Sequence, residues 1–230
     1  MKKIGLIGGM SWESSQIYYQ LVNQKVKEAL GGFHSARCVM DSVDFAEIER
    51  LQMVDDWEAM STLMAASAQN LEKAGADIVV LCTNTMHLCS DAIKASINIP
   101  FLHIAEATAR RIKAQGLKKV LLLGTRFTME KAFFKDILSK DFGIEVIIPN
   151  KADRSLVHDV IYEELVLGKI SDTSRKVYQE IIAAGAEAGA EGAILGCTEI
   201  PLLIQQEHVQ IPVFETTRIH AEAAVGFALA

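Results

Sequence analysis

The sequence contains no apolar run approaching the ~20 residues that a membrane-spanning helix needs, and no block of lysine and arginine. The first absence argues against a membrane-spanning helix. The second, with a formal net charge of -6, argues against nucleic acid as a partner. Cysteine is sparse. Cys38, Cys82, Cys89 and Cys197 form no CxxC pair, so neither a disulfide framework nor a zinc site is indicated. No linker rich in proline, glycine or serine and no low-complexity tract interrupts the 230 residues, so any two domains are expected to pack closely. This length permits one or two domains and a core that needs no disulfide or structural metal. The opening MKKIGLIGGM starts like an export signal, but its apolar part is short and broken by glycine. It reads as a buried first strand, and a cytoplasmic protein with four free thiols is expected.

What is present is alternation. Short apolar runs suit buried strands at residues 2–8, 38–43, 78–82, 100–102, 118–124, 144–148, 193–196 and 212–214. Apolar residues at helical spacing fall between them, at 57–73, 104–114, 129–138, 156–167 and 174–188, with Ile17, Leu21 and Val26 marking an earlier helix. Ser171 or Asp172 is placed to cap the 174–188 helix. The methionines at 53–64 read as core. Strands alternating with helices imply an α/β fold with mainly parallel sheets.

The sequence also repeats itself. KKIGLIGGMS from Lys2 matches KKVLLLGTRF from Lys118, an offset of 116. KAGADIVVLCTNT from Lys73 matches EAGAEGAILGCTE from Glu187, an offset of 114. NIPFL from Asn98 matches QIPVF from Gln210, an offset of 112. Three blocks in the same order indicate an internal duplication. The expectation is two pseudo-symmetric, doubly wound α/β domains. Residues 1–102 with 210–230 would form the first, carrying Thr83, and 103–209 the second, carrying Cys197. Ligands of such sheets bind outside the carboxyl ends of the strands. In the ungapped register Thr83 pairs with Cys197, and Cys82 pairs with Gly196, one step back in the strand.

Two acid/base groups acting on opposite faces of one carbon invert a stereocentre. The proton α to a carboxylate is weakly acidic, so the carbanion needs donors around the carboxylate. Thr83, Asn84, Thr85 and Thr198 offer hydroxyls, an amide and backbone N–H groups. Helices beginning after these loops would favour an anion there and lower the Cys197 pKa toward neutrality. A threonine hydroxyl can donate or relay a proton but is a poor base, so unequal transfer on the two sides is expected. Cys38 and Cys89 read as structural thiols, and His87 as a packed or exposed helical histidine. His103 and His220 recur near matching strand ends and could each orient a loop. GLIGGM lacks the GxGxxG fingerprint of a dinucleotide site.

GLIGGMSWESS at 5–15, LCTNTMH at 81–87, GCTEI at 196–200 and IHA at 219–221 resemble the signature segments of the aspartate/glutamate racemase superfamily. The resemblance covers essentially the whole chain. It is strongest to the L-aspartate/glutamate-specific, broad-specificity branch, with threonine in the first catalytic loop. It implies cofactor-free and metal-free proton transfer at the α-carbon between Cys197 and Thr83, in a homodimer. It also implies that Met10 and Ser11 lie against the substrate and that Asn84, Thr85 and Thr198 cradle its charged groups. Gln52, with Arg50 beside it, would grip the substrate after the second strand. Typical members have cysteine at both catalytic positions. Relatives selective for aspartate often carry a lysine where Val166 stands, with Lys169 only nearby, so strict acidic specificity is not implied. Two other readings stay open: a single-thiol decarboxylase or maleate isomerase of the same fold, and a non-catalytic amino-acid or dicarboxylate binder.

Overall fold

The computed structural model describes residues 1–230. In chain order the elements are β1 (Ile4–Gly8), α1 (Trp12–Leu30), β2 (Cys38–Ser42), α2 (Phe45–Met53), α3 (Trp57–Lys73), β3 (Ile78–Leu81), α4 (Ser90–Ser96), β4 (Phe101–Leu102) and α5 (Ile104–Ala114). They continue with β5 (Lys119–Gly124), α6 (Arg126–Glu130), α7 (Ala132–Asp136), β6 (Glu145–Ile147), α8 (Lys151–Glu163), α9 (Asp172–Glu187), β7 (Gly192–Gly196), α10 (Ile200–Leu203), β8 (Val213–Glu215) and α11 (Thr216–Leu229). The chain divides into two compact units, Met1–Ile104 with His220–Ala230, and Ala105–Ile219.

The first unit holds a parallel sheet in the order β2-β1-β3-β4. IGLIG and IVVL are buried at every position, as suits parallel strands covered on both faces. The strand period of two divides their side chains. Ile7, Val79 and Leu81 pack with Met60, Met64, Ala68 and Leu71 of α3. Ile4, Leu6, Ile78 and Val80 pack with Tyr18, Val22 and Val26 of α1 and Ala221, Ala224, Val225 and Ala228 of α11. The second unit repeats the plan with the order β6-β5-β7-β8, again all parallel. On one of its faces Leu121, Leu123, Ala193 and Leu195 meet Val157 and Ile161 of α8 and Tyr178, Ile181 and Ile182 of α9.

The strand registers carry the duplication. Ile7 pairs with Leu81 in the first sheet, and Leu123 pairs with Leu195 in the second. Val80 pairs with Leu102, and Ile194 with Phe214. These are the positions related by offsets of 116, 114 and 112 in the sequence.

Several elements differ from the sequence reading. The expected boundary put 210–219 in the first domain, whereas β8 pairs with β7 and belongs to the second unit. Residues 103 and 104 in turn belong to the first unit. The expected helix at 129–138 is broken at Lys131, whose φ of -70° and ψ of 155° are extended. α8 starts at Lys151, earlier than expected, because Asn150 caps it: its side-chain oxygen accepts from Asp153 N at 3.1 Å. Ser171 caps α9 in the same way. Met60 and Met64 are core, but Met53 at the end of α2 is exposed.

Candidate active site

In the first sheet β2 and β3 flank β1 on opposite sides, which makes the carboxyl ends of β1 and β3 a topological switch point. Two loops meet the solvent there. Gly9 follows β1 with φ +94°, and a Cβ on it would stand 2.1 Å from the Val43 carbonyl oxygen, so only glycine serves. The serines of SWESS tie the loop down. Gly9 N donates to Ser15 Oγ at 2.8 Å, and Ser15 Oγ donates to Ser11 O at 2.9 Å. Ser14 Oγ donates to Cys82 O at 2.8 Å, joining the start of α1 to the end of β3. Met10 is buried in the core beside Ile7 and Met86.

After β3, Cys82 is buried and its thiol is pushed far up by that burial, as expected of a structural cysteine. Thr83 is half-buried, Asn84 is buried, and Thr85 opens a 3₁₀ turn, Thr85–Cys89. Gln52 Nε2 reaches the Met86 sulfur at 3.4 Å, so α2 brings Gln52 to this loop. Arg50 is exposed. The first unit therefore gathers Met10, Ser11, Thr83, Asn84, Thr85 and Gln52 around one end of its sheet.

His87 is fully buried rather than displayed. Its Nδ1 lies 2.8 Å from Thr83 O, and Ile104 N donates to its Nε2 at 3.2 Å. His103 and His220 surround it, with ring centroids 4.6 and 5.7 Å away. Burial lowers His103 to about 3 and His220 to about 4. Burial, with both neighbouring histidines adding to it, holds His87 well below the usual imidazole range. His220 Nε2 lies 2.9 Å from Leu102 O and its Nδ1 2.8 Å from the Tyr18 hydroxyl. A neutral ring satisfies both contacts by donating to the carbonyl and accepting from the phenol.

In the second unit the matching switch point lies at the ends of β5 and β7. Gly124 and Gly196 let these strands close up, since a Cβ on Gly124 would lie 3.0 Å from Gly196 O. Thr125 follows β5 and caps α6, accepting from Thr128 N at 3.4 Å. Cys197 follows β7 with Thr198, both half-buried. Its thiol donates to Glu199 Oε2 at 2.8 Å.

That bond corrects an expectation. Cys197 does not gain a lowered pKa from a following helix, because α10 is only four residues long and begins after Glu199. Burial by the surrounding protein raises the thiol pKa first, and the Glu199 carboxylate raises it further by repelling a thiolate and accepting the S–H. Backbone N–H groups of Thr198 and Glu199 oppose this without reversing it. The thiol is therefore held protonated. Val166 and Lys169 are exposed on the turn that follows α8.

Three features of these loops lie beyond what the sequence reading gives. Thr125 occupies the place of Gly9 in the 116 offset, so the repeat itself was its signal. Glu199 stands two residues from Cys197, and only side-chain geometry reveals it as the thiol's partner. The link from His87 to Thr83 was hidden because a helix-like i, i+4 spacing gives no sign of which backbone group the ring meets.

The profile described as Asp/Glu/Hydantoin racemase matches residues 7–224. The chain belongs to the Asp/Glu/hydantoin racemase family. It is thereby an isomerase of the racemase class. It is 28% identical to a broad-specificity amino-acid racemase of Bacillus subtilis over 178 residues, 76% of this chain and 75% of that one. It is 52% identical to a crystal structure assigned as an Asp/Glu racemase from Yersinia pestis, with a TM-score of 0.96 and all of both chains covered. It is 34% identical to an aspartate racemase homologue from Pyrococcus horikoshii, with a TM-score of 0.90 and again all of both chains covered.

Proposed function

We propose that this racemase inverts small amino acids, with aspartate and glutamate first, by proton transfer at the α-carbon involving Cys197 and Thr83 and no cofactor. The observation that carries the reading is their equivalence. Thr83 and Cys197 stand at the same post, two residues beyond Leu81 and Leu195, which occupy the same place in the two sheets.

The protonated thiol supports an acid role for Cys197. Cys197 as held here is an acid that protonates the carbanion, once the α-proton has left on the other side to water held at Thr83, and the thiolate then regains its proton from solvent. For the reverse step it must first pass that proton to Glu199, and the thiolate then removes the α-proton. Return to the opposite face falls to the Thr83 hydroxyl, replenished from solvent through water. Atoms balance: the α-proton goes to sulfur, a solvent proton reaches carbon through Thr83, and Glu199 returns the thiol's original proton to solvent. Asn84, Thr85 and Thr198 supply donors for the substrate carboxylate, where negative charge builds up. Met10 and Ser11 wall the substrate, and Gln52 grips its distal group. The breadth of the Bacillus relative fits an exposed Val166 where a specificity-setting lysine would stand. A homodimer belongs to the same proposal and is tested by sedimentation.

Incubation with L-aspartate and L-glutamate in deuterated water should give α-deuterated substrate and D-product, and Cys197→Ala should abolish both. No exchange with any member of a common amino-acid panel would refute the proposal. The single thiol favours one alternative, decarboxylation or cis–trans isomerisation of a dicarboxylate. Carbon dioxide from a malonate, or fumarate from maleate, would reveal it.

A further inference from the structure

We propose that His87 is a positioning residue for Thr83, an inference that rests on the proton-handling role just given to Thr83. The backbone fixes the state of the ring. Ile104 N–H can only donate, so Nε2 must be the acceptor, at 3.2 Å. The ring proton is then on Nδ1, where it donates to Thr83 O at 2.8 Å. An imidazolium would point an N–H at the Ile104 amide. Burial and the two neighbouring histidines favour the neutral ring and outweigh the Thr83 and Asn84 carbonyls, which favour the charged one. His103, His220 and Phe101 surround it with centroids 4.6, 5.7 and 5.6 Å away, and the Lys94 charge acts on His103 next to it.

A buried ring with two polar atoms is costly unless both are satisfied. Here both are satisfied by backbone: one at Thr83, and one at the segment that follows β4. Holding the Thr83 carbonyl fixes the plane of the Thr83–Asn84 peptide, because that plane is rigid. It limits ψ at Thr83 and so the direction in which its hydroxyl is carried. The neighbouring segment is fixed in turn, since His220 contacts Leu102 O at 2.9 Å. Thr83 is thus braced through a chain of neutral rings that does not titrate in the neutral range.

The test uses the full chain and two substitutions that each keep one half of the link. His87→Asn places an N–H near the Nδ1 position, and His87→Gln places an acceptor near the Nε2 position. The loss of one neutral hydrogen bond corresponds to about a five- to tenfold effect. His87→Gln should lower kcat for α-exchange by that factor with KM little changed, and His87→Asn should lose less. In a Thr83→Val background His87→Gln should have no further effect on kcat. Equal losses in both variants that follow a falling Tm would overturn the inference, as would an undiminished His87→Gln effect in the Thr83→Val background. Wild-type exchange by Thr83→Val alone would overturn the role of Thr83 itself, and this inference with it. Nitrogen NMR of the unmodified protein needs no variant to fold. A neutral ring protonated on Nδ1 supports the inference, and a charged ring or one protonated on Nε2 overturns it.

Discussion

Glu199→Gln separates two effects that the Cys197–Glu199 bond combines. The carboxylate both repels a thiolate and receives the thiol proton across 2.8 Å. Two unit charges at that separation repel by about 6 kcal/mol at an effective dielectric constant of ~20. Solvent reaches this half-buried pair and removes much of that. A quarter of it, about 1.5 kcal/mol, still gives roughly tenfold more thiolate at a fixed pH below the midpoint. Glutamine keeps the shape and removes the charge. The Cys197 titration, read as ultraviolet thiolate absorbance minus that of Cys197→Ala, should move to lower pH. Turnover should fall nonetheless, by about a hundredfold, because the proton acceptor is gone. A more acidic thiol in a slower enzyme is the signature. An unmoved or raised midpoint, or full turnover, would refute the pairing.

Thr83→Cys should bring the α-exchange rates of the two enantiomers closer together, and unchanged inequality in isotope wash-in would count against Thr83 as the weaker partner. The buried histidines should make the fold acid-sensitive. His220 titrates at about 4 when folded against ~6.5 unfolded, so the unfolded chain binds more protons between those values and stability falls as pH drops through that window. His220 alone contributes about 3 kcal/mol of this loss by pH 4. Thermal melts of wild type and His220→Gln should show a shallower acid slope in the variant, and parallel slopes would refute the assignment. Gly9→Ala meets the Val43 carbonyl at 2.1 Å with φ +94°, so it should cost about 3 kcal/mol or more and reduce exchange. A denaturant midpoint equal to wild type would show that the loop yields.

The sheets were legible because parallel strands are continuous apolar runs. IGLIG, IVVL and KVLLLG stand out with no context. The repeat sets their register and pairs Thr83 with Cys197 from the sequence alone. Helices were less legible where local chemistry overrides periodicity. α2 has only Ile48 buried, too little for an apolar stripe, and the Asn150 cap lies outside the apolar pattern of α8. The protonation of Cys197 was misjudged for a related reason. The lowered pKa is conditional on a helix starting right after the loop, and GCTEI does not show that Glu199, two residues along, places its charge on the thiol. The histidine cluster joins residues 87, 103 and 220, whose proximity depends on α11 returning to the first sheet.

That return has a wider consequence. Shifted by the offset of 112 that relates β4 to β8, Ile104, the first residue of α5, falls on Thr216, the first residue of α11. The two helices are thus the same element of the two copies, yet almost all of α5 lies in the second unit and most of α11 in the first. Each copy has lent its last helix to the other, the exchange seen when identical subunits swap a terminal segment. Severing the copies from one another would therefore not release two small folded proteins. The first copy alone would leave Ile4, Leu6, Ile78 and Val80 without the alanines of α11 that cover them, a ready surface for sticking to another such copy.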